Sequence, residues 1–314
     1  MIQNLRKKLR EISFLHNAYM RAKRIFISEL LGMTSGTEQA YIANYGENLY
    51  AGHGEVVDLG SWLGSTTIPL TAGLLKNPKF RDSGRKVFAY DLFIWFDWMR
   101  PSVAGTDLAE RYREGDNFVD EFKRRIAPLA DSIEVREGDL KSIGWSGEPI
   151  EFLLVDAMKG WDLAAAIARD FYPSLIPENS LVFHQDFAHH FTPWIHLVQW
   201  KLQDHFEYVE EVPRSQSVIF KCIKIISTKD VNLDWGFEMF SDTDVDAAFE
   251  YSMGLVSTEK LPNVASAKVM WYIHQKKFDD ASRIFHKMIK NGIPVVDDLF
   301  LVSEMLSSPT KTNE

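Results

Sequence analysis

The strongest constraint on this chain is a rhythm of short apolar runs. They recur at residues 55–59, 86–90, 133–137, 152–155 and 180–183, each ending in polar or glycine residues and most followed by a helix-compatible stretch. Strands separated by helices pair in parallel, because the crossover returns the chain to the same end of the sheet. The rhythm therefore predicts an α/β fold of the Rossmann-like, doubly wound type, a mostly parallel sheet covered by helices on both faces. Two further runs, 206–212 and 217–226, are separated only by Pro213, Arg214, Ser215 and Gln216, too few residues for a crossover helix. They are expected to form a final antiparallel hairpin and bring the sheet to seven strands.

Three zones are expected along the chain: a helical lead over 1–35, the strand and helix region over 36–226, and a helical extension over 227–314. The lead is basic (Arg6, Lys7, Lys8, Arg10, Arg21, Lys23, Arg24), with Leu5, Leu9, Ile12 and Leu15 at helical spacing. It is expected to pack its apolar side on the main domain, with weak contact to an anionic membrane surface as the alternative. In the extension, residues 265–294 read as a helical hairpin with Trp271, Tyr272, Phe278, Ala281, Ile284 and Phe285 on apolar faces, like a single tetratricopeptide-type unit. One such repeat cannot bury its own faces, so it is expected to pack on the main domain or on a sister subunit in a homo-oligomer. The connection over 92–118 is long and carries Phe93, Trp95, Phe96, Trp98 and Tyr112. A lid, a second core layer or an oligomer contact would each produce that pattern.

The formal charge of −9 over 314 residues argues against a nucleic-acid partner, which usually needs a basic footprint, and favours small-molecule chemistry. A single cysteine, Cys222, excludes an intrachain disulfide and suits a reducing compartment. No apolar run reaches the length of a membrane span, and no signal-peptide core is followed by a small-residue cleavage site, so a soluble cytoplasmic protein is expected.

The chemistry concentrates at the ends of the strands. Val56-Val57-Asp58-Leu59-Gly60-Ser61-Trp62-Leu63-Gly64-Ser65-Thr66-Thr67 reads as a strand, a glycine-bearing turn and a helix start. Gly60 and Gly64 let backbone approach a ligand closely, and Ser65 and Thr66 are expected to supply capping hydroxyls beside the helix's free amides. Nucleotide-like ligands bind at the carboxyl ends of such strands. The spacing is D-x-G-x-x-x-G, not the G-x-G-x-x-G of a dinucleotide fold, and it resembles the first motif of class I S-adenosylmethionine-dependent methyltransferases. Asp91 ends the second strand and Gly138-Asp139-Leu140 follows the third. The resemblance, which spans about 190 residues, implies that Asp91 receives the ribose hydroxyls and that Asp139 and Leu140 lie beside the adenine.

After the fourth strand, Asp156-Ala157-Met158-Lys159 is similar to the D-x-x-K segment of cation-dependent small-molecule O-methyltransferases of the catechol and caffeoyl-coenzyme A type. The resemblance implies that Asp156 binds a divalent cation, magnesium in the expected case, and that Lys159 deprotonates a hydroxylated acceptor such as a sugar or specialised metabolite. A cation beside an ammonium lowers the lysine pKa and acidifies a coordinated hydroxyl. At the end of the fifth strand Gln185 and Asp186 stand where that family keeps an acidic pair, so the expected ligand set is Asp156, Gln185 and Asp186 with one carboxylate fewer. Macrocin-type sugar O-methyltransferases are also similar, but carry histidine where Lys159 stands. His189, His190 and His196 lie among Phe187, Phe191 and Trp194 and read as packed side chains. Two other functions fit parts of the sequence: a non-haem iron oxygenase using His184 and Asp186, and a non-catalytic interaction protein on a cofactor-type fold.

Overall fold

The computed structural model describes residues 30–307, so the basic segment of the expected helical lead lies outside the described residues. All seven expected strands are present: β1 (Glu55–Leu59), β2 (Val87–Asp91), β3 (Ile133–Glu137), β4 (Ile150–Val155), β5 (Leu181–His184), β6 (Phe206–Glu211) and β7 (Val218–Cys222). They form one sheet in the order β3-β2-β1-β4-β5-β7-β6. β1, β2 and β3 pair in parallel, as do β4 and β5, while β7 runs antiparallel to both β5 and β6. This is a Rossmann-like, doubly wound arrangement, a mixed sheet whose parallel strands end in an antiparallel hairpin. The hairpin does not simply extend the sheet in chain order, because β7 lies inside and β6 takes the edge. Side-chain chemistry explains the swap: Val218, Ile219, Phe220 and Cys222 are all buried, whereas β6 carries Glu207, Glu210 and Glu211 and a register shift between Tyr208 and Glu210. Charge and irregularity are how natural sheets protect an edge.

The described chain divides into two compact units. One runs to Asp139 and includes Val212–Ser215; the other takes Leu140–Glu211 and continues from Gln216. In the first unit, α1 (Gly36–Asn44) starts at a capping box in which the Ser35 hydroxyl accepts from the Glu38 amide and Glu38 returns to the Ser35 amide. It lies on α2 (Thr67–Leu74) at backbone contact: a Cβ on Gly73 would sit 2.1 Å from the Ala43 carbonyl oxygen. The inner half of the 92–118 connection is a second core layer. Phe93, Trp95 and Phe118 are fully buried, with Phe93 packed edge-on against Phe118 at 5.6 Å and Trp95 stacked on Tyr112 at 5.4 Å. α3 (Val119–Ile126) joins this layer through Phe122, and its buried Glu121 receives Arg111, Arg124 and Arg125. Elsewhere the connection is largely exposed, including Leu92, Trp98, which stacks on Phe96, and the run over 113–117.

In the second unit, β4 is buried along its whole length. Helices α4 (Trp161–Asp170) and α5 (Pro193–Lys201) follow β4 and β5. The helical extension comprises α6 (Asp242–Leu255), α7 (Leu261–His274), α8 (Phe278–Lys290) and α9 (Asp297–Ser307). The expected hairpin is α7 with α8, and it does not stand alone. α7 is buried from Val264 to Ile273, and Trp161 of α4 packs against Phe240 and Trp271 at ring distances of 5.7 and 6.0 Å. Ala188 and Leu197 belong to the same apolar cluster, so the extension is continuous with the core around α5. Among the described residues no helix is long and apolar enough to cross a membrane.

Candidate functional site

In the first unit the ends of β1, β2 and β3 are tied together by backbone hydrogen bonds. The Gly60 and Ser61 amides donate to the Tyr90 carbonyl at 2.9 and 3.1 Å, and the Gly138 amide donates to the Asp91 carbonyl at 2.9 Å. Gly60 and Gly64 adopt φ of 95° and 88°, the left-handed region that favours glycine, and Trp62 between them is at 41°. The turn thus has the predicted bend, but it spends its own donors. The amides of Gly60, Ser61, Trp62 and Gly64 are all satisfied within the protein, the last by the Ser61 carbonyl at 2.8 Å.

Asp58 sits at the centre of this arrangement with no exposed surface. Its Oδ2 accepts from the hydroxyls of Thr66 at 2.8 Å and Thr67 at 2.6 Å, while Oδ1 is buried with no hydrogen-bond partner. Burial pushes its pKa up to about 6 against the lowering effect of the Thr67 and Thr66 hydroxyls, and the charge of Asp91 adds to the rise. A buried carboxylate with one oxygen left over is a group that lacks a donor or a positive charge. The expected capping role of Ser65 and Thr66 is corrected: α2 has no side-chain cap, Thr66 is committed to Asp58, and the Ser65 hydroxyl is 2.8 Å from that of Thr34. Thr66 stands at the N-cap in helical rather than extended backbone, φ −99° and ψ −49°, and its hydroxyl is turned toward Asp58 instead of the first-turn amides.

Asp91 has a positional role as well. Its Oδ2 accepts from the Trp62 amide at 2.9 Å and its Oδ1 from the Phe93 amide at 2.7 Å, so it clamps the first turn to the end of β2. Burial raises its pKa, and these amides work against that rise. Each oxygen keeps a second lone pair for a ligand hydroxyl. Asp139 is half-buried just past Gly138, and Leu140 is buried at the first residue of a short helical turn, Leu140–Ile143. Sequence reasoning missed Thr67 and the bridging amide of Trp62; the pair of threonines immediately after Ser65 was the available signal.

In the second unit the loops after β4 and β5 are joined. The Gln185 amide donates to the Val155 carbonyl at 3.1 Å, and the Thr192 hydroxyl donates to the Asp186 carbonyl at 2.8 Å. The Trp194 indole holds the Met158 carbonyl. Lys159 Nζ lies 2.9 Å from Asp156 Oδ1 and also contacts Asp186 Oδ2, so both carboxylates converge on one cationic atom. Burial alone would lower the lysine pKa, but the charges of Asp156 and Asp186 more than reverse it, and Nζ is held as ammonium well above its ordinary range. This narrows the expected base: in this arrangement Lys159 keeps its proton unless the paired negative charge is compensated. Two carboxylates meeting at one cation are a donor set that fits a divalent ion, and Gln185 is buried beside them in sequence.

The histidines divide by location. His184 is buried between Phe187 and Phe220 with Nε2 3.2 Å from the Tyr172 hydroxyl, and burial lowers its pKa to about 4. Among the described residues no third metal-ligating side chain joins His184 and Asp186, so the oxygenase triad is not assembled. His196 is buried against Phe187 and Phe249, as a packed residue would be. His189 and His190 instead meet Asp298 of α9, a grouping sequence spacing could not reveal.

No protein-family model matches the chain, and no curated protein matches it. Solved structures do. The O-methyltransferase NovP is similar at 17% identity over 62% of this chain and 84% of its own, with a TM-score of 0.47. The calicheamicin methyltransferase CalS11 is similar at 14% identity over 66% of this chain and 91% of its own, with a TM-score of 0.42. Human N-acetylserotonin methyltransferase in complex with SAM is similar at 11% identity over 68% of this chain and 66% of its own, with a TM-score of 0.32.

Proposed function

We propose that this chain is an S-adenosylmethionine-dependent O-methyltransferase acting on a small hydroxylated acceptor. The observation that carries the reading is Asp58, a fully buried carboxylate at the end of β1 with Oδ1 unsatisfied, beside a glycine-bearing turn. A ligand bearing an ammonium and a sulfonium is the kind that would compensate it. Asp58, Gly60, Ser61, Gly64, Asp91, Asp139 and Leu140 form the cofactor site in this reading, with Ser65 and Thr66 holding the turn in shape. Bound S-adenosylmethionine supplies an electrophilic methyl group.

Lys159 and Asp156 handle the proton. As the acceptor oxygen takes up that methyl group, its hydroxyl proton would pass to the Lys159 cluster. Lys159 acts as base only when the charge on Asp156 and Asp186 is compensated. Asp156, Gln185 and Asp186 would hold a divalent cation, magnesium in the expected case, which would supply that compensation and acidify the hydroxyl. Calorimetric titration with S-adenosylhomocysteine tests the cofactor half of the reading, and absence of binding by the intact protein removes it. Methyl transfer measured with and without strong chelator tests the cation separately, since full activity in chelator excludes a dissociable essential ion.

A further inference from the structure

A second cluster of ligating side chains lies in the loop after β5, sharing no side chain with the Lys159 cluster but joined to it where the His189 amide donates to the Asp186 carbonyl at 3.2 Å. His189 and His190 stack with ring centroids 4.6 Å apart and planes 22° from parallel, which places neighbouring residues on the same side of the chain. Asp298, in the first turn of α9, reaches them from 108 residues away. Its Oδ2 accepts from the His190 backbone amide at 2.8 Å and lies 3.1 Å from the His190 ring Nδ1. One donor atom from each of the three residues lies within 4.8 Å of the others. His190 and Asp298 are buried, at 8% exposure each, and His189 is half-buried.

A plain carboxylate–imidazole pair would account for only part of this. The His190 ring Nδ1 is buried and pairs with the carboxylate only in poor hydrogen-bond geometry, and the pair leaves out the His189 ring, whose Nδ1 accepts from the Phe191 amide at 3.1 Å. The carboxylate is aimed instead by the His190 backbone amide, and aiming of ligands by amides and other polar neighbours is how metal sites fix their geometry. A second imidazole beside the first completes a set of two nitrogen donors and one carboxylate, which suits a borderline divalent ion better than magnesium.

We infer that His189, His190 and Asp298 form a site for a divalent transition-metal ion of the zinc class, which fastens α9 to the loop that carries Asp186. Three protein ligands leave a fourth position for water. The site uses none of the side chains assigned to magnesium, so the two ions separate by experiment.

Protein stripped with chelator and titrated with cobalt(II) is expected to bind one equivalent with the visible d–d absorption of a nitrogen- and oxygen-ligated, low-coordinate site. His190→Ala should abolish that spectrum and Asp298→Asn should weaken binding at least tenfold. The double variant Asp156→Asn with Asp186→Asn should keep it. Zinc added to the unaltered protein should raise its melting temperature, with chelator reversing the gain, a readout that does not depend on any variant folding. No cobalt spectrum in the stripped parent overturns the inference. So does a spectrum that survives His190→Ala and Asp298→Asn, or one lost in the Asp156/Asp186 double variant while those two retain it.

Discussion

Asp58 and Lys159 are both charged groups at strand ends, but they are held by different means. Asp58 is wholly buried, its neighbours are neutral threonine hydroxyls, and its own charge is disfavoured, with the pKa pushed up to about 6. Lys159 keeps 41% of its side-chain surface and is flanked by two opposite charges that stabilise its ammonium. The first site is built by a backbone turn and waits for positive charge. The second already contains its positive charge and must lose or neutralise it before it can accept a proton. In the proposed function, preorganisation would fall to the buried, shape-determined turn and reactivity to the solvent-reaching ionic cluster.

The sharpest way to break this contrast is Lys159→Ala. Turnover should fall at least 100-fold, the usual scale of a lost general base, while affinity for S-adenosylhomocysteine stays within about twofold. Unchanged turnover would leave the cluster without its assigned chemistry.

The buried turn is tested by pH. The folded pKa of Asp58 stands above its ordinary value of 3.8, so the native state holds the proton more tightly than the unfolded chain does. The stability this contributes is fully present below pH 3.8 and is lost as pH rises through about 6. The loss amounts to about 3 kcal/mol by the linkage relation. Chemical denaturation of the parent and of Asp58→Asn at a series of pH values should therefore give a difference in stability that shifts by that amount toward the variant as pH rises. A pH-independent difference would mean that Asp58 is ionised without penalty and that the turn has no need of a cation.

A smaller effect probes the bend itself. Gly64→Ala places a Cβ 3.1 Å from Ile68 Cδ1 at a φ of 88°. It should cost about 1 to 2 kcal/mol in denaturant unfolding, the penalty of a left-handed residue with a side chain. The smallest expected effect belongs to the ionic cluster. Asp186→Asn should change stability by less than about 1 kcal/mol, because Lys159 reaches solvent and retains Asp156. A larger loss in the same measurement would show the cluster to be a structural element as much as a reactive one.

The strands were legible because a strand buried between helices must be a short apolar run, and the run over 152–155 announces itself by that alone, while 133–137, at the sheet edge, shows only Ile133 and Val135 alternating with charged residues. Glycines at 60 and 64 likewise revealed the turn, since a sharp strand-to-helix bend needs left-handed backbone. The aromatic connection was ambiguous, because Phe93 and Trp98 look alike in sequence; one is fully buried and the other is exposed at 61% only by virtue of the fold around them. Hydroxyl partners were misassigned for a related reason. Ser65 and Thr66 stand at a helix start and read as caps, but in the fold the Thr66 hydroxyl points to Asp58 and the Ser65 hydroxyl to Thr34, orientations the sequence does not display.

What the sequence determined by itself is therefore local and periodic: seven strands, their alternation with helices, the closing hairpin, and the bend after Asp58. These follow from the fixed repeat of side chains along a strand or helix and from the steric freedom of glycine. The tertiary structure decided which strand takes the sheet edge, which proton Lys159 holds, and which carboxylate meets His189 and His190. Each of those depends on groups far apart in the chain, as Asp298 is from His190, and their interaction energy exists only once the intervening chain has folded to bring them within a few ångströms.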